Sequence, residues 1–216
     1  MLVLVTGDRQ VGKTRWLERL VEACERQGMT CKGVVCPGVW QPDECGGLAK
    51  VGIEALLLPE HENIPFACKR GLAPETPAPS HQADAAKLVW QIYDEAIERI
   101  NKQFDDIAAQ GLGERDLLVV DEIGVLELVF GKGFASALAL LDAPVCKAGP
   151  DQAGGCCVGA HAAVIVRPEL IEDAKKRFAP AWGEPCVMDI ASADTRQGIE
   201  SLIGAFCNSS ELGERN

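Results

Sequence analysis

Eight consecutive residues near the start of the chain could hold a phosphate group: Gly7, Asp8, Arg9, Gln10, Val11, Gly12, Lys13 and Thr14. Their pattern, Gly-x-x-x-x-Gly-Lys-Thr, is that of a P-loop, or Walker A motif. Its glycines let the backbone curl so that several N–H groups point at phosphate oxygens, and the helix that follows adds a favourable dipole. We expect Lys13 to reach the β- and γ-phosphates and the Thr14 hydroxyl to bind Mg²⁺. All eight are candidate nucleotide-binding residues.

A second motif supplies carboxylates. Four apolar residues, 117–120, are followed by Asp121 and Glu122, which is the Walker B form. In this form Asp121 is a candidate Mg²⁺ ligand, and Glu122 is placed to act as the general base on a water molecule. The alternative is a strand that ends in solvated acids, but a complete P-loop in the same chain favours the chemical interpretation. With Lys13, Glu122 is therefore the candidate catalytic pair.

The elements that must position these motifs alternate between strands and helices. Residues 2–6 form an apolar run that predicts a buried strand before the P-loop, and Trp16, Leu17, Leu20, Val21 and Cys24 follow at helical spacing up to Gly28. Further predicted strands cover residues 31–36, 162–166 and 187–190. Further predicted helices cover 81–109 (capped by Ser80), 133–141, 168–178, and a last one to about 206 (capped by Asp194 and Gln197). This alternation predicts a three-layer α/β fold with a mostly parallel sheet, in a single domain over residues 1–216.

The region 37–80 departs from that alternation and is a candidate lid or insertion. Its Pro- and Gly-rich start, 37–47, predicts a loop, and residues 53–58 and 64–69 predict a β-hairpin. Pro65 favours an edge position for the second of these strands. Residues 71–79, with three prolines, predict an extended surface segment.

Composition narrows the partners and the compartment. A net charge of -11 argues against a broad nucleic-acid or anionic-membrane surface, and no segment approaches the length of an uncharged membrane span. The start of the chain resembles no signal peptide, so the cytoplasm is the expected compartment and the ten cysteines are expected to be reduced thiols. The cysteines and histidines lack the spacing of metal ligands, and the histidines are expected at the surface or in loops.

Two stretches together resemble a known family. They are Gly7 to Thr14 and Val120-Asp121-Glu122-Ile123-Gly124-Val125-Leu126-Glu127-Leu128, with Phe134 shortly after. The resemblance is to the small nucleoside-triphosphatases of the P-loop NTPase superfamily, a family with thermophile and human cancer-related members, and it covers most of residues 1–142.

The resemblance implies a RecA-like P-loop core with a hairpin insertion, in which the strand ending in Asp121 lies beside a strand other than its neighbour in sequence. It also implies slow, Mg²⁺-dependent hydrolysis of several nucleoside triphosphates. The functional residues of the family fall on Lys13, Thr14, Asp121 and Glu122, and Gly124 and Glu127 match its signature.

The sequence thus favours a nucleoside triphosphatase acting on ATP, GTP or other triphosphates. Two alternatives stay open: a nucleotide-dependent switch or chaperone for a partner protein, for instance in metalloenzyme or cofactor maturation, and a small-molecule kinase. Cations near the predicted site are expected to be solvated rather than to bind phosphate, since many strands and loops end in a charge; these are Arg167, Lys69 and Arg70. Trp40 is expected to pack rather than to stack on a base.

Overall fold

The computed structural model describes residues 1–69, 90–143, 160–192 and 198–211, which form a nine-stranded sheet with helices on both faces. The strands are β1 (Leu2–Thr6), β2 (Thr30–Val35), β3 (Gly38–Pro42), β4 (Leu48–Leu58), β5 (Glu62–Lys69), β6 (Trp90–Ile92), β7 (Asp116–Ile123), β8 (His161–Val166) and β9 (Cys186–Asp189). The helices are α1 (Lys13–Arg26), α2 (Asp94–Gln110), α3 (Val125–Leu128), α4 (Ala135–Asp142), α5 (Ile171–Trp182) and α6 (Gly198–Glu211). A 3₁₀ turn, Pro168–Leu170, leads into α5.

The half of the sheet that carries the two motifs is parallel. Its strands lie in the order β2-β7-β8-β1-β9, so β8 separates β1, which precedes the P-loop, from β7. Strand β7 carries Asp121 and Glu122, called the acid pair below. On its other side β7 pairs with β2, which is not its neighbour in sequence, as the family resemblance implied. Because neighbouring strands lie about 4.8 Å apart, the ends of β1 and β7 are separated by roughly 10 Å.

Both faces of the parallel strands are buried. Along β7, Leu118 and Val120 belong to the apolar cluster beneath α2, α4 and α5, whereas Leu117 and Val119 belong to the cluster beneath α1 and α6. A strand buried on both faces has no polar alternation, which explains the continuous apolar run of the sequence. The predicted three-layer α/β fold with a mostly parallel sheet is confirmed.

The other strands extend the sheet in the antiparallel sense. β4 and β5 form the predicted hairpin, but β4 begins at Leu48 rather than at residue 53. The prediction of a loop over 37–47 was wrong in part, because residues 38–42 form β3 and pair with β4. The predicted edge position of β5 was correct only in part, because β6 lies outside β5 and pairs with Ala67–Lys69. The stretch around Pro65 has no outer neighbour among the described strands.

The longest predicted helix begins later than expected. Trp90–Ile92 forms β6 instead of a helical turn, and the Tyr93 N–H donates to the Phe66 carbonyl at 3.0 Å. These aromatic and β-branched residues fit a pleated surface, and β5 offers them backbone partners. Helix α2 starts at Asp94, where acidic residues in the first turn favour the helix dipole.

The remaining predicted elements agree with the structure within a few residues. The last helical segment before β9 begins as a 3₁₀ turn at Pro168 and continues to Trp182, beyond the predicted end at 178. The short helix α3 was not predicted. Several predictions lie outside the described residues: the 71–79 segment, the Ser80 cap, residues 81–89, nearly all of the 146–160 loop, and the Asp194–Gln197 cap.

The sequence predicted a surface or loop position for His161, which was wrong: the residue lies in β8 and is buried. Its Nε2 lies 3.1 Å from the Phe206 carbonyl and its ring stacks on that of Phe206, so a polar side chain is accommodated in the core. The seven cysteines in the described parts of the chain are free thiols. Within the same parts, none of the helices has the length and apolar character needed to cross a bilayer.

Candidate active site

The P-loop residues lie where the sequence predicted, between the end of β1 and the first turn of α1. Three of them have left-handed backbone angles: Gly7 (φ 135°), Gln10 (φ 63°) and Gly12 (φ 98°). A Cβ at Gly7 would lie 3.1 Å from the Val11 side chain and 3.2 Å from Asp189, so the loop closes tightly against the end of β9. No side chain caps α1, which leaves the helix start open to an anion.

Lys13 is folded back over the loop. Its Nζ donates to the Gly7 carbonyl at 2.6 Å and to the Asp8 carbonyl at 2.8 Å. Burial lowers the pKa of Lys13, and the carboxylates of Glu122 and Asp121 oppose that shift. The ammonium group is thus held over the backbone of the loop. Its contact with Asp8 is through the carbonyl, because the Asp8 side chain is exposed.

Asp121 lies near the end of β7 and is only 3% exposed. Its Oδ2 accepts the Cys36 N–H at 2.8 Å, and it also takes a hydrogen bond from the Thr14 hydroxyl. Burial raises the pKa of Asp121 to about 7, against the opposing effect of these two hydrogen bonds. The predicted metal ligands, Thr14 and Asp121, are therefore in direct contact.

Glu122 points away from the core. The pairing of β7 with β8 shifts between Val120 and Ile123, and Glu122 within this bulge has a left-handed φ of 79°. Its side chain is 50% exposed. A non-glycine residue in this conformation costs on the order of 1 kcal/mol, so the surrounding structure must hold the carboxylate in its outward position.

Arg167, which the sequence favoured as a solvated surface residue, binds this carboxylate. Its Nε donates to Glu122 Oε1 at 2.9 Å, and its Nη2 donates to the same oxygen. Arg167 directly follows β8, the strand between the P-loop strand and β7. The signal that could have identified it is its position at the carboxyl end of an apolar strand, where ligands of parallel sheets bind.

Glu127 organises the segment that follows the acid pair. Its two carboxylate oxygens accept the Gly124 N–H at 2.8 Å and the Phe134 N–H at 3.1 Å, and the side chain is buried. Burial raises the pKa of Glu127, while these amides oppose the shift. The signature Glu therefore closes the loop between β7 and α4 and fixes the direction in which β7 ends.

The insertion also contributes a residue that sequence reasoning missed. Lys50 of β4 lies with its Nζ 5.4 Å from the centroid of the Trp90 ring, and its charge acts on Asp121 to oppose the raised pKa. No pattern in the sequence indicated Lys50, since its approach depends on the pairing of β4 with β3. Lys69 is exposed on β5, as expected, whereas Trp40, which was expected to pack, is 39% exposed. Arg70 lies outside the described residues.

The predicted site residues therefore meet at one edge of the sheet. Lys13, Thr14, Asp121 and Glu122 lie together, joined by Arg167, while the side chains of residues 8–10 face solvent. No group of three or more His, Cys, Asp or Glu side chains in the described part of the chain could hold a metal by itself. A cation at this edge would be bound by one carboxylate, one hydroxyl and the phosphates of a ligand.

Comparison with known proteins gives the family and supports the fold. A family model described as NTPase matches residues 2–142. Two solved structures share the fold: a human cancer-related nucleoside triphosphatase, with a TM-score of 0.60, 16% identity and coverage of 94% of this chain and 95% of that one; and THEP1 from the hyperthermophile Aquifex aeolicus, with a TM-score of 0.56, 16% identity and coverage of 95% and 99%. No curated protein matches the sequence significantly.

Proposed function

The chain belongs to the NTPase family, and on that premise we propose that it is an Mg²⁺-dependent nucleoside triphosphatase that hydrolyses ATP, GTP and other nucleoside triphosphates to the diphosphate and phosphate. One observation carries the proposal. The P-loop lysine and two carboxylates of opposite exposure, buried Asp121 and half-exposed Glu122, share one edge of the parallel sheet. One carboxylate can serve a metal and the other can reach a water molecule.

Binding of the triphosphate falls to the P-loop. The phosphates would be bound by the backbone N–H groups of residues 7–14 and by the start of α1. Lys13 would exchange its two carbonyl contacts for contacts with phosphate oxygens. Asp121 and Thr14 fit Mg²⁺, because they are oxygen donors already in contact and the raised pKa of Asp121 shows that its charge is incompletely compensated. When bound, Mg²⁺ supplies positive charge to the phosphate oxygens.

Hydrolysis requires a water molecule aligned with the γ-phosphorus. Glu122 is the group that accepts its proton, since its carboxylate is exposed at the edge of the site whereas that of Asp121 is buried. Lys13 and the loop amides stabilise the charge that develops on the transferred phosphoryl group. Each of these roles uses a side chain that stands at this edge of the sheet.

Release of inorganic phosphate from ATP, GTP, CTP and UTP in the presence of Mg²⁺ tests the proposal. We expect the wild type to release phosphate from several of the four, and Lys13→Ala to be slower by about a hundredfold or more. Lys102→Ala is the matched control, because Lys102 pairs with Asp106 on the surface of α2. Phosphate release by Lys13→Ala equal to that of the wild type would contradict the assignment.

The same assay separates the two alternatives. If labelled γ-phosphate moves to a small metabolite rather than to water, the protein is a kinase. If hydrolysis stays below one turnover per hour while a protein partner is retained only in the presence of a non-hydrolysable triphosphate, the switch is favoured, since slow hydrolysis can time a conformational signal. Rapid multiple-turnover release to water supports the hydrolase.

A further inference from the structure

The ion pair between Glu122 and Arg167 has no role in the hydrolysis described above. Two nitrogens of the guanidinium donate to a single oxygen, Oε1, of the carboxylate that must accept a proton from water. A carboxylate oxygen has two lone pairs, and the guanidinium takes both of those on Oε1, so that oxygen has none left for a water O–H. In the ligand-free protein, the general base is therefore engaged.

The fold places this arginine next to the phosphate site. Val5 of β1 pairs with Ile165 of β8, and Ile123 of β7 pairs with Val166, so Arg167 leaves the sheet between the P-loop and Glu122. The charges of both Arg167 and Glu122 act on the Lys13 ammonium, which places all three around the same opening. The Arg167 side chain is 29% exposed, so part of it faces solvent rather than packed atoms.

A phosphate is a competitor for a guanidinium of this kind. Arginine binds phosphate oxygens through paired N–H groups, and a terminal phosphate carries more charge than one carboxylate. Lys13 is the residue expected to reach the β- and γ-phosphates, so the γ-phosphate of a bound triphosphate would lie near Arg167, on its Lys13 side. A diphosphate ends one phosphate earlier and leaves the carboxylate as the nearest anion.

We propose that Arg167 is exchanged from Glu122 to the terminal phosphate when a nucleoside triphosphate binds. The inference rests on the proposed function and adds a sensor to it. The exchange frees Glu122 Oε1 to accept a proton from water only when the γ-phosphate is in place. Arg167 thereby links recognition of the triphosphate to release of the Glu122 carboxylate. With a bound diphosphate, the ion pair between Arg167 and Glu122 stays intact.

Calorimetric binding of a non-hydrolysable ATP analogue and of ADP, both with Mg²⁺, tests the exchange. We expect Arg167→Gln to bind the analogue about ten to a hundred times more weakly, as befits loss of one charged hydrogen-bonding contact, and to bind ADP within about twofold of the wild type. Arg167→Lys should recover part of the loss because it keeps the charge. The matched control is Arg177→Gln, which breaks another arginine–carboxylate pair with two hydrogen bonds, that with Asp142 on the surface of α5 and α4.

A second variant tests the pairing itself. Glu122→Gln removes the carboxylate that competes for Arg167, so it should bind the analogue several-fold more tightly than the wild type, by up to about tenfold, with ADP unchanged. The gain should be smaller when Arg167→Gln is already present. If the gain is equal or larger in that background, simple charge repulsion accounts for it and the exchange is refuted.

The outcomes separate this inference from the proposed function. If the wild type hydrolyses triphosphates but Arg167→Gln distinguishes the analogue from ADP as the wild type does, the exchange is wrong and the hydrolase stands. If the wild type binds neither nucleotide, both fail. If Arg167→Gln loses the distinction while Arg177→Gln keeps it, the exchange is supported.

Discussion

Replacing Asp121 with asparagine should make the ligand-free protein more stable, although it removes a ligand from the candidate Mg²⁺ site. Burial raises the pKa of Asp121 from 3.8 to about 7. Each unit of this difference corresponds to about 1.4 kcal/mol, so the ionised carboxylate costs the folded protein about 4 kcal/mol above neutral pH. Asparagine keeps an oxygen acceptor for the Cys36 amide and carries no charge, which removes this cost.

The sign follows from the direction of the shift. Because the folded pKa lies above the unfolded one, the advantage of protonated Asp121 is complete below the unfolded value and is lost as the pH rises through the folded value. The difference in unfolding free energy between Asp121→Asn and the wild type should therefore grow by about 2–3 kcal/mol between about pH 5 and about pH 8.

Urea unfolding of both proteins across this range, with a chelator and without nucleotide, measures the difference. Asp106→Asn on the exposed surface of α2 is the matched control, and its difference from the wild type should change by less than about 0.5 kcal/mol. A gap between Asp121→Asn and the wild type that stays constant with pH, or a less stable variant at pH 8, would refute the reasoning. With Mg²⁺ and a triphosphate the order should reverse, since only the wild type keeps the carboxylate ligand.

Three further predictions concern the stability of the fold that carries the site. Glu127→Ala should lower the unfolding free energy by about 2–4 kcal/mol, because two buried amides lose their acceptor, and Glu127→Gln should lower it by less. Urea unfolding measures both variants, and an unchanged unfolding free energy in Glu127→Ala would contradict the role of Glu127 in closing this loop. Burial lowers the pKa of His161 to about 4, so the neutral ring contributes stability above about pH 6.5 that is lost as the pH falls toward 4. Between about pH 6.5 and about pH 4, the wild type should therefore lose about 3 kcal/mol more unfolding free energy than His161→Asn. An equal loss of unfolding free energy with falling pH in both proteins would be inconsistent with a buried neutral ring. Gly33→Ala should destabilise the protein by about 3 kcal/mol or more, since the new Cβ would lie 2.0 Å from the Val119 carbonyl oxygen of β7; an unchanged melting temperature would show that β2 can move away.

The parallel core and the phosphate site could be predicted because their signals are local. A strand buried on both faces needs a continuous apolar run, and both β1 and β7 end that run at the residues that carry chemistry. The P-loop needs glycine at fixed offsets, which Gly7 and Gly12 supply. Short-range requirements of this kind are written directly in the sequence.

The errors arose where pairing between distant segments decided the structure. Residues 90–92 have a helical pattern, yet they pair with β5 because that strand offers free backbone groups. Residues 38–42 carry loop-forming residues, but β4 recruits them as β3. In both places tertiary contacts override local preference, and no window of sequence contains the partner strand.

The Arg167–Glu122 pair was missed for a related reason. The two residues are separated by 45 positions in the chain, and their contact depends on the bulge between Val120 and Ile123. A bulge turns one side chain of a strand to a new direction, and the apolar pattern of β7 gives no sign of it. The sequence could identify each residue at a strand end but could not show that they bind each other.

The central claim is that Glu122 activates water for attack on a triphosphate held by the P-loop. Single-turnover phosphate release, measured beside nucleotide binding on the same preparation of Glu122→Gln, tests it most directly. The account predicts that the variant binds the triphosphate at least as tightly as the wild type and releases phosphate slower by about a hundredfold or more. Phosphate release by Glu122→Gln at the wild-type rate would contradict it.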